Sequence, residues 1–240
     1  YCVFGGWFYD IECTQPLQLY KDAFYDDLTL YAYWENEDDG VPYQYRVLDD
    51  GTIEILGYTG RRKYITIPEI IEDRIVSSIG GSAFKNRSDL REITLPDTLK
   101  YIGEYAFEGC TRLTYLEIPD NVQTISKYSF SNCTNLRELV IGKNSKLTYI
   151  GERVFNACGS LQTIELPRKV QNIGACAFWG NVSLTKILVD SENEKFVSVD
   201  GILFNKNQST LIAYPAGKSG DYIIPDVTHT VAAGAFAYSK

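Results

Sequence analysis

The sequence predicts a repeat solenoid that is mainly β with short turns or 3-10 helices, wound right-handed and preceded by a small β-rich segment. Three observations predict it. One phrase recurs five times between residues 79 and 189. Its large apolar positions fall in register in every copy. Within each copy the spacing is that of short extended segments joined by turns, which no single helix or strand period produces.

The phrase is Ile-Gly-x-x-Ala-Phe-x-x-Cys-x-x-Leu-x-x-Leu-x-Ile-Pro, cleanest from Ile102 and Gly103 through Phe107, Cys110, Leu113, Leu116 and Ile118 to Pro119. Phe84, Phe107, Phe130, Phe155 and Phe178 recur at intervals of 23, 23, 25 and 23 residues. Leu90, Leu113, Leu136, Leu161 and Leu184 follow, then Ile93, Leu116, Leu139, Ile164 and Ile187, then Leu95, Ile118, Ile141, Leu166 and Val189. The longer third interval places its extra residues at Gly142–Leu147, where a turn absorbs them. A period near 23 residues is that of a stacked leucine-rich repeat.

Leu116 and Ile118 are two apart, so they share one side of an extended segment while Glu117 faces the other. Pro119 cannot donate to a ladder and suits a strand end. Val122 and Ile125 form a second short apolar pair; the Gly of Ile-Gly is read as turning the chain, and Ala-Phe as dropping a ring inward. One coil cannot bury these groups alone, whereas coils stacked about 4.8 Å apart complete both ladder and core. The slot three residues after Phe reads Arg87, Cys110, Cys133, Cys158 and Asn181, the polar rung of such a repeat. Parallel side chains do not converge as zinc ligands must, and parallel rungs space Cβ atoms slightly too widely for disulfides. Free buried thiols are expected there.

Ile65, Ile67, Pro68 and Ile71 repeat the strand spacing, so the solenoid is assigned to 60–240, starting with an irregular coil. Tyr45, Val47, Asp50-Gly51, Ile53 and Ile55 read as a capping hairpin over 45–59. After Val189 the period breaks into a hairpin insert at about 190–222, and Tyr222–Pro225 with Val231, Ala232, Ala235 and Phe236 re-enters the repeat. The repeat is cut at Lys240, before its Leu slot, which suggests a piece of a longer protein. At the other end, residues 1–35 are aromatic and strand-like, and 36–44 form an acidic linker. Cys2 and Cys13 are near enough in sequence to pair or to stay free.

The 240 residues suffice for a substantial core. A net charge of −8 argues against nucleic acid and anionic membrane as partners. No apolar run is long enough to span a bilayer. The single histidine, His229, has no nucleophile motif beside it, and no phosphate loop, His-Glu-x-x-His or paired Cys-x-x-Cys is present. Glu35, Glu37, Asp39 and Gly40 mimic the start of a calcium loop, but Arg46 stands where its final Glu belongs. The expectation is therefore no enzyme, no cofactor and no metal.

The phrase Ile102–Ile125 resembles the BspA-like, or treponemal-type, leucine-rich repeats, and the likeness extends over roughly 45–240. The interruption from Ser198-Val199-Asp200-Gly201 to Tyr214-Pro215-Ala216-Gly217-Lys218 looks like one that recurs in that family. Residues 4–34, from Gly5-Gly6-Trp7-Phe8 to Tyr31-Ala32-Tyr33-Trp34, resemble the C-terminal part of a Listeria–Bacteroides B-repeat. The resemblance implies a secreted or surface-attached bacterial protein engaged in adhesion and host contact, and it supplies no catalytic residues.

The outward positions of the first strand row are the candidate binding residues: Glu92, Thr94, Tyr115, Glu117, Glu138, Val140, Thr163, Glu165, Lys186 and Leu188. They form an acidic strip with a tyrosine and an apolar end, the surface solenoids use for partners. The partner expected is an extracellular protein, host matrix included, or a glycan. Tyr101 and Tyr149, on the second row, are aromatic platforms for the glycan alternative. A spacer role in a larger surface protein is the remaining alternative.

Overall fold

The computed structural model describes residues 2–8, 31–36 and 41–239, with side chains from residue 41. It contains two compact units, 1–42 and 43–240. In the first, β1 (Cys2–Phe8) and β2 (Tyr31–Asn36) pair antiparallel with an irregularity between Phe4 and Gly6. The rest of the B-repeat-like segment, including Cys13, and residues 37–40 of the acidic run lie outside the described residues.

The second unit opens on a hairpin, β3 (Tyr43–Val47) and β4 (Ile53–Tyr58), turned through Gly51 at φ 79°. Then come β5 (Tyr64–Thr66), β6 (Ile70–Ile71) and β7 (Arg74–Ile79). The regular coils each give a first and a second strand: β8 (Glu92–Thr94) and β9 (Tyr101–Ile102), β10 (Tyr115–Ile118) and β11 (Thr124–Ile125), β12 (Glu138–Ile141) and β13 (Tyr149–Ile150), β14 (Thr163–Leu166) and β15 (Asn172–Ile173). β16 (Lys186–Val189) precedes the insert strands β17 (Phe196–Val199), β18 (Ile202–Asn205) and β19 (Thr210–Ala213), and β20 (Thr230–Val231) follows.

Second strands stack in parallel as β7-β9-β11-β13-β15, and the hairpin extends this sheet through β4 and β3. First strands bond two by two, β5 with β8, β10 with β12 and β14 with β16. Between the rows lies one core in which Phe84, Phe107, Phe130 and Phe155 are 0 % exposed. Their rings form a column, with centroids 5.1, 5.2 and 5.8 Å apart and planes within 6°. Phe178 continues it at 6.2 Å, and Tyr58 of the hairpin covers its first ring at 6.4 Å.

The third side of each coil holds turns, and no 3-10 helix occurs among the described residues. The backbone explains this. Two positions in every coil, two residues before and two after the Phe, are left-handed: Ser82 and Asn86, Tyr105 and Gly109, Tyr128 and Asn132, Arg153 and Ala157, Cys176 and Gly180. A left-handed residue at every fourth position stops any helix from propagating. It also turns alternate N–H groups along the stack. Tyr105, Phe107 and Gly109 donate to Lys127, Ser129 and Ser131 of the next coil at 3.2, 2.7 and 2.9 Å, and the same pattern repeats from Ser82 to Ala157, with an offset of 22 residues that becomes 24 where the longer coil intervenes.

The Gly of Ile-Gly has a role other than turning. Gly103, Gly151 and Gly174 do not have positive φ. A Cβ there would stand 2.6, 2.5 and 2.2 Å from backbone atoms of the preceding coil, so glycine permits the coils to nest. The polar rung is a thiol ladder. Cys110, Cys133 and Cys158 are free and buried, and their Sγ atoms donate to the carbonyls of Phe84, Phe107 and Phe130 at 3.2, 3.2 and 3.1 Å. Arg87 and Asn181 end the ladder by donating to the Arg62 and Phe178 carbonyls, both at 3.0 Å.

The insert folds as β17-β18-β19, with Asp200 and Gly201 both at positive φ in a tight two-residue turn. Asn193, 0 % exposed, anchors it. Its amide donates to the Pro167 and Val170 carbonyls, and its oxygen accepts from the Lys195 and Phe196 N–H groups. β19 then pairs in parallel with β20, returning the chain to the coil pattern.

Candidate interaction face

Strand alternation positions the first-row side chains. In β10, Leu116 and Ile118 are buried while Tyr115 is half-buried and Glu117 exposed. Parallel register then aligns these positions into two columns. Tyr115 pairs with Glu138, Glu117 with Val140, Thr163 with Lys186 and Glu165 with Leu188. Glu92 and Thr94 pair with Tyr64 and Thr66. All ten candidate residues therefore lie on one strand row, exposed or half-buried. Tyr64 and Thr66 extend the row by one coil. The in-phase Ile65 and Ile67 carry the signal for them, although the first coil is irregular.

Tyr115 is the electrostatic centre of the row. Its hydroxyl donates to Glu117 at 3.2 Å, and burial with the charges of Glu117, Glu138 and Glu92 pushes its pKa up to about 12. The phenol stays protonated and can donate a hydrogen bond under all physiological conditions. An acidic field around an amphipathic ring suits a partner that brings cationic side chains and an apolar edge.

At the far end the row opens into a groove of about 600 Å³, walled by Lys186 and Leu188 and, from the insert, by Asp200, Lys218, Asp221 and Tyr222. Lys218 is tied to the Asp200 carbonyl at 3.0 Å, and Tyr222 leans on Tyr214 with ring centroids 5.3 Å apart. Burial and the Asp200 charge raise the Tyr222 pKa. Sequence reasoning missed this groove because its walls meet only when the insert folds back, and no repeat position marks them.

Tyr101 and Tyr149 are exposed on the second row, separated by the rung of Thr124, and Tyr101 accepts a hydrogen bond from Ser126 at 2.7 Å. His229 is exposed, with its backbone N–H on the Ser209 carbonyl at 2.9 Å. Among the described residues no group of His, Cys, Asp and Glu side chains is arranged to hold a metal, and no helix is long and apolar enough to cross a membrane. Burial pushes the Cys110 and Cys158 thiols up to about 12 and the Cys133 thiol well above its ordinary value, so the ladder holds no ready nucleophile.

Known structures share this architecture. A T. pallidum leucine-rich repeat protein is 33% identical with a TM-score of 0.59, over 61% of this chain and 68% of that one. The pneumococcal vaccine antigen PcpA superposes with a TM-score of 0.65 at 24% identity, over 82% of this chain and 61% of that one. A leucine-rich cell surface protein from Faecalibacterium prausnitzii is 26% identical with a TM-score of 0.52, over 78% of this chain and 64% of that one. The chain thus spans less than two thirds of the length of the last two. No curated protein matches it. Residues 62–209 match, in six copies, the sequence pattern described as the BspA type leucine rich repeat region. With the phenylalanine column, the thiol ladder and the parallel strand rows all in place over that span, the chain belongs to the BspA-type leucine-rich repeat family.

Proposed function

We propose that this chain is a non-catalytic adhesion module, secreted or held at a bacterial surface, that binds extracellular proteins through the first-strand row. The observation that carries the reading is the registered row centred on Tyr115, with Glu92, Glu117 and Glu138 around it and a rigid buried stack behind it. A solenoid presents such a row without moving when it binds, which lowers the ordering cost of association. The likeness to a protein described as a cell surface protein supports the location.

The test is charge reversal. A Glu117→Lys, Glu138→Lys, Glu165→Lys variant should keep its thermal midpoint and lose at least about tenfold in affinity for a partner found in a screen of extracellular matrix proteins, mostly through slower association. A confirmed partner that binds the variant as tightly as the parent would overturn the assignment of this face. The groove beside Tyr222 favours a second reading, a glycan subsite, because it combines an aromatic wall with Asp200, Asp221, Lys186 and Lys218 as hydrogen-bonding groups. Selective hits on a glycan array that vanish in Tyr222→Ala would select it.

A further inference from the structure

Hydrogen bonding between coils lapses at one level of the stack. In the coils from Phe84 to Phe155, the N–H groups at the Phe and two residues either side donate to the next coil. The equivalent groups of the following coil, on Cys176, Phe178 and Gly180, have no backbone acceptor among the described residues. The second-strand row stops at the same level. β15 bonds back to β13 but has no strand beyond it, and β19 and β20 belong to the separate sheet of the insert. The core divides there too. Ile202, Phe204, Leu211, Tyr214 and Ala235 form a second apolar cluster, where Phe236 stacks on Tyr214 at 5.0 Å.

The two parts are joined firmly along the first-strand side. The Ile187 N–H donates to the Gly201 carbonyl and the Gly217 N–H to the Leu184 carbonyl, both at 2.8 Å. Asn193 ties the insert to Pro167 and Val170. Phe196 and Leu203 belong to the main core, and Ile212 and Ala213 pack against it. On the second-strand and turn sides the walls stand apart. A cleft of about 220 Å³ separates 173–179 from 212–214, 232–235 and Ala237. Phe178 is 7 % exposed there, where the four preceding column rings are 0 %. The polar contact across the cleft is weak: the Cys176 thiol faces the Ala233 carbonyl at 3.6 Å. Trp179 meets the exposed ring of Tyr238 at 5.8 Å, tilted by 59°.

We infer that residues 196–239 form a hinged block, fastened along the bonds at Leu184, Ile187 and Asn193 and opening at the cleft. Local opening in a fold follows the scarcity of hydrogen bonds and buried contacts, and this level has the fewest inter-coil bonds between Phe84 and Phe236. The groove beside Tyr222 takes one wall from each part, Lys186 and Leu188 from the stack and Asp221 and Tyr222 from the block. The swing therefore sets the width of the groove, and a molecule spanning it holds the block in place. The hinge is independent of what the groove or the first-strand row binds.

The experiment is amide hydrogen exchange of the whole chain in rising, sub-denaturing urea, read peptide by peptide by mass spectrometry. Segments 202–217 and 230–238 should open as one set, with protection at least about tenfold below that of 102–158. The drop should fall as a step between Phe178 and Phe196. Gly234→Cys supplies a lock, because a Cβ at that position stands 2.9 Å from the Cys176 sulfur, within the reach of a disulfide. Position 234 is left-handed, as Cys176 and Tyr238 are. Once oxidised, with the bond verified by mass, the variant should carry the block at the protection of the stack, and reduction should restore the step. A common protection level in the parent overturns the hinge. So does a smooth decline along the coils, which is fraying from an end, and so does a step that survives in the oxidised variant. Should the variant not fold or not oxidise, the profile of the parent chain decides alone.

Discussion

Removing one ring from the middle of the phenylalanine column tests the fold where it is most regular. Phe130 is 0 % exposed and lies between Phe107 at 5.2 Å and Phe155 at 5.8 Å, with planes within 6° of both. Phe130→Ala removes the ring and leaves a hole that the coils above and below cannot close, because the turn-side ladder holds them in place. Truncations of this kind cost about 3–5 kcal/mol, and the loss of contacts on both ring faces places Phe130 at the upper end. Phe178 has one ring neighbour, at 6.2 Å, and is 7 % exposed beside the cleft. Its truncation removes half the stacking and opens onto space already accessible, so about 2–3 kcal/mol is expected. For a chain of this size the difference is a fall in Tm of roughly 10–18 °C for Phe130→Ala against roughly 5–10 °C for Phe178→Ala. Urea unfolding followed by circular dichroism gives the free energies directly. Equal costs for the two variants, or a cost under about 2 kcal/mol for Phe130→Ala, would refute the column as the axis of the core.

Two further outcomes follow from the ladder and the insert. The ordinary thiol pKa of 9.0 is raised to about 12 at Cys110 and Cys158 by burial, so an unfolded chain ionises these thiols while the folded one does not. Their stabilising effect is complete below pH 9 and is lost as pH rises from 9 to 12, by up to about 1.4 kcal/mol per pH unit for each thiol. Urea midpoints at pH 8 and pH 10 should therefore fall less in a Cys110→Ala, Cys158→Ala variant than in the parent, and an identical fall would sink the argument. Asn193→Ala removes four hydrogen bonds and should cost about 3 kcal/mol. Trypsin should then cut faster at the exposed Lys195, and an unchanged cutting rate would show that the insert is held by other contacts.

The strand rows and the column are legible in the sequence because side-chain identity dictates them. Leu116, Ile118 and Phe107 are large, apolar and periodic, and burying them fixes which neighbours face outward. Hence the candidate residues from Glu92 to Leu188 can be placed on one row before any coordinates. The turn side is different. Its ladder is made by backbone groups, and the left-handed positions two residues before each Phe hold Ser82, Tyr105, Tyr128, Arg153 and Cys176, which share no residue type beyond two tyrosines. Those two residues after it hold Asn86, Gly109, Asn132, Ala157 and Gly180, mostly the Asn and Gly that favour this conformation. Tyr105 and Tyr128 stack at 5.0 Å there, with Lys85 4.7 Å from the first ring and Arg153 donating to the Tyr128 hydroxyl at 2.7 Å. These contacts offset the left-handed conformation, and they depend on which residues fall 20, 23 or 25 positions apart in adjacent coils. The groove beside Tyr222 and the cleft beside Phe178 were illegible for another reason. Both arise where Tyr214 of the insert meets the repeat, and loop-closure geometry of that kind leaves no periodic trace.

The direction of the turn-side bonds gives the molecule a sense, as a thread gives one to a screw. From Ser82 to Ala157 the backbone donors of this side meet acceptors of the next winding, while strand-side donors such as Gly103 and Ser126 reach back to Ile79 and Ile102, so a coil inserted upside down would set like against like. Gain or loss of whole windings is harmless under this rule, since any cut separates the same two kinds of edge and any splice rejoins them. The intervening hairpin joins the stack in both senses: Tyr214 offers its N–H forward to the Ala235 carbonyl, and Gly217 offers its own back to that of Leu184. Whole windings are therefore interchangeable units of the stack, and an inserted segment rejoins it by matching donor to acceptor at each edge.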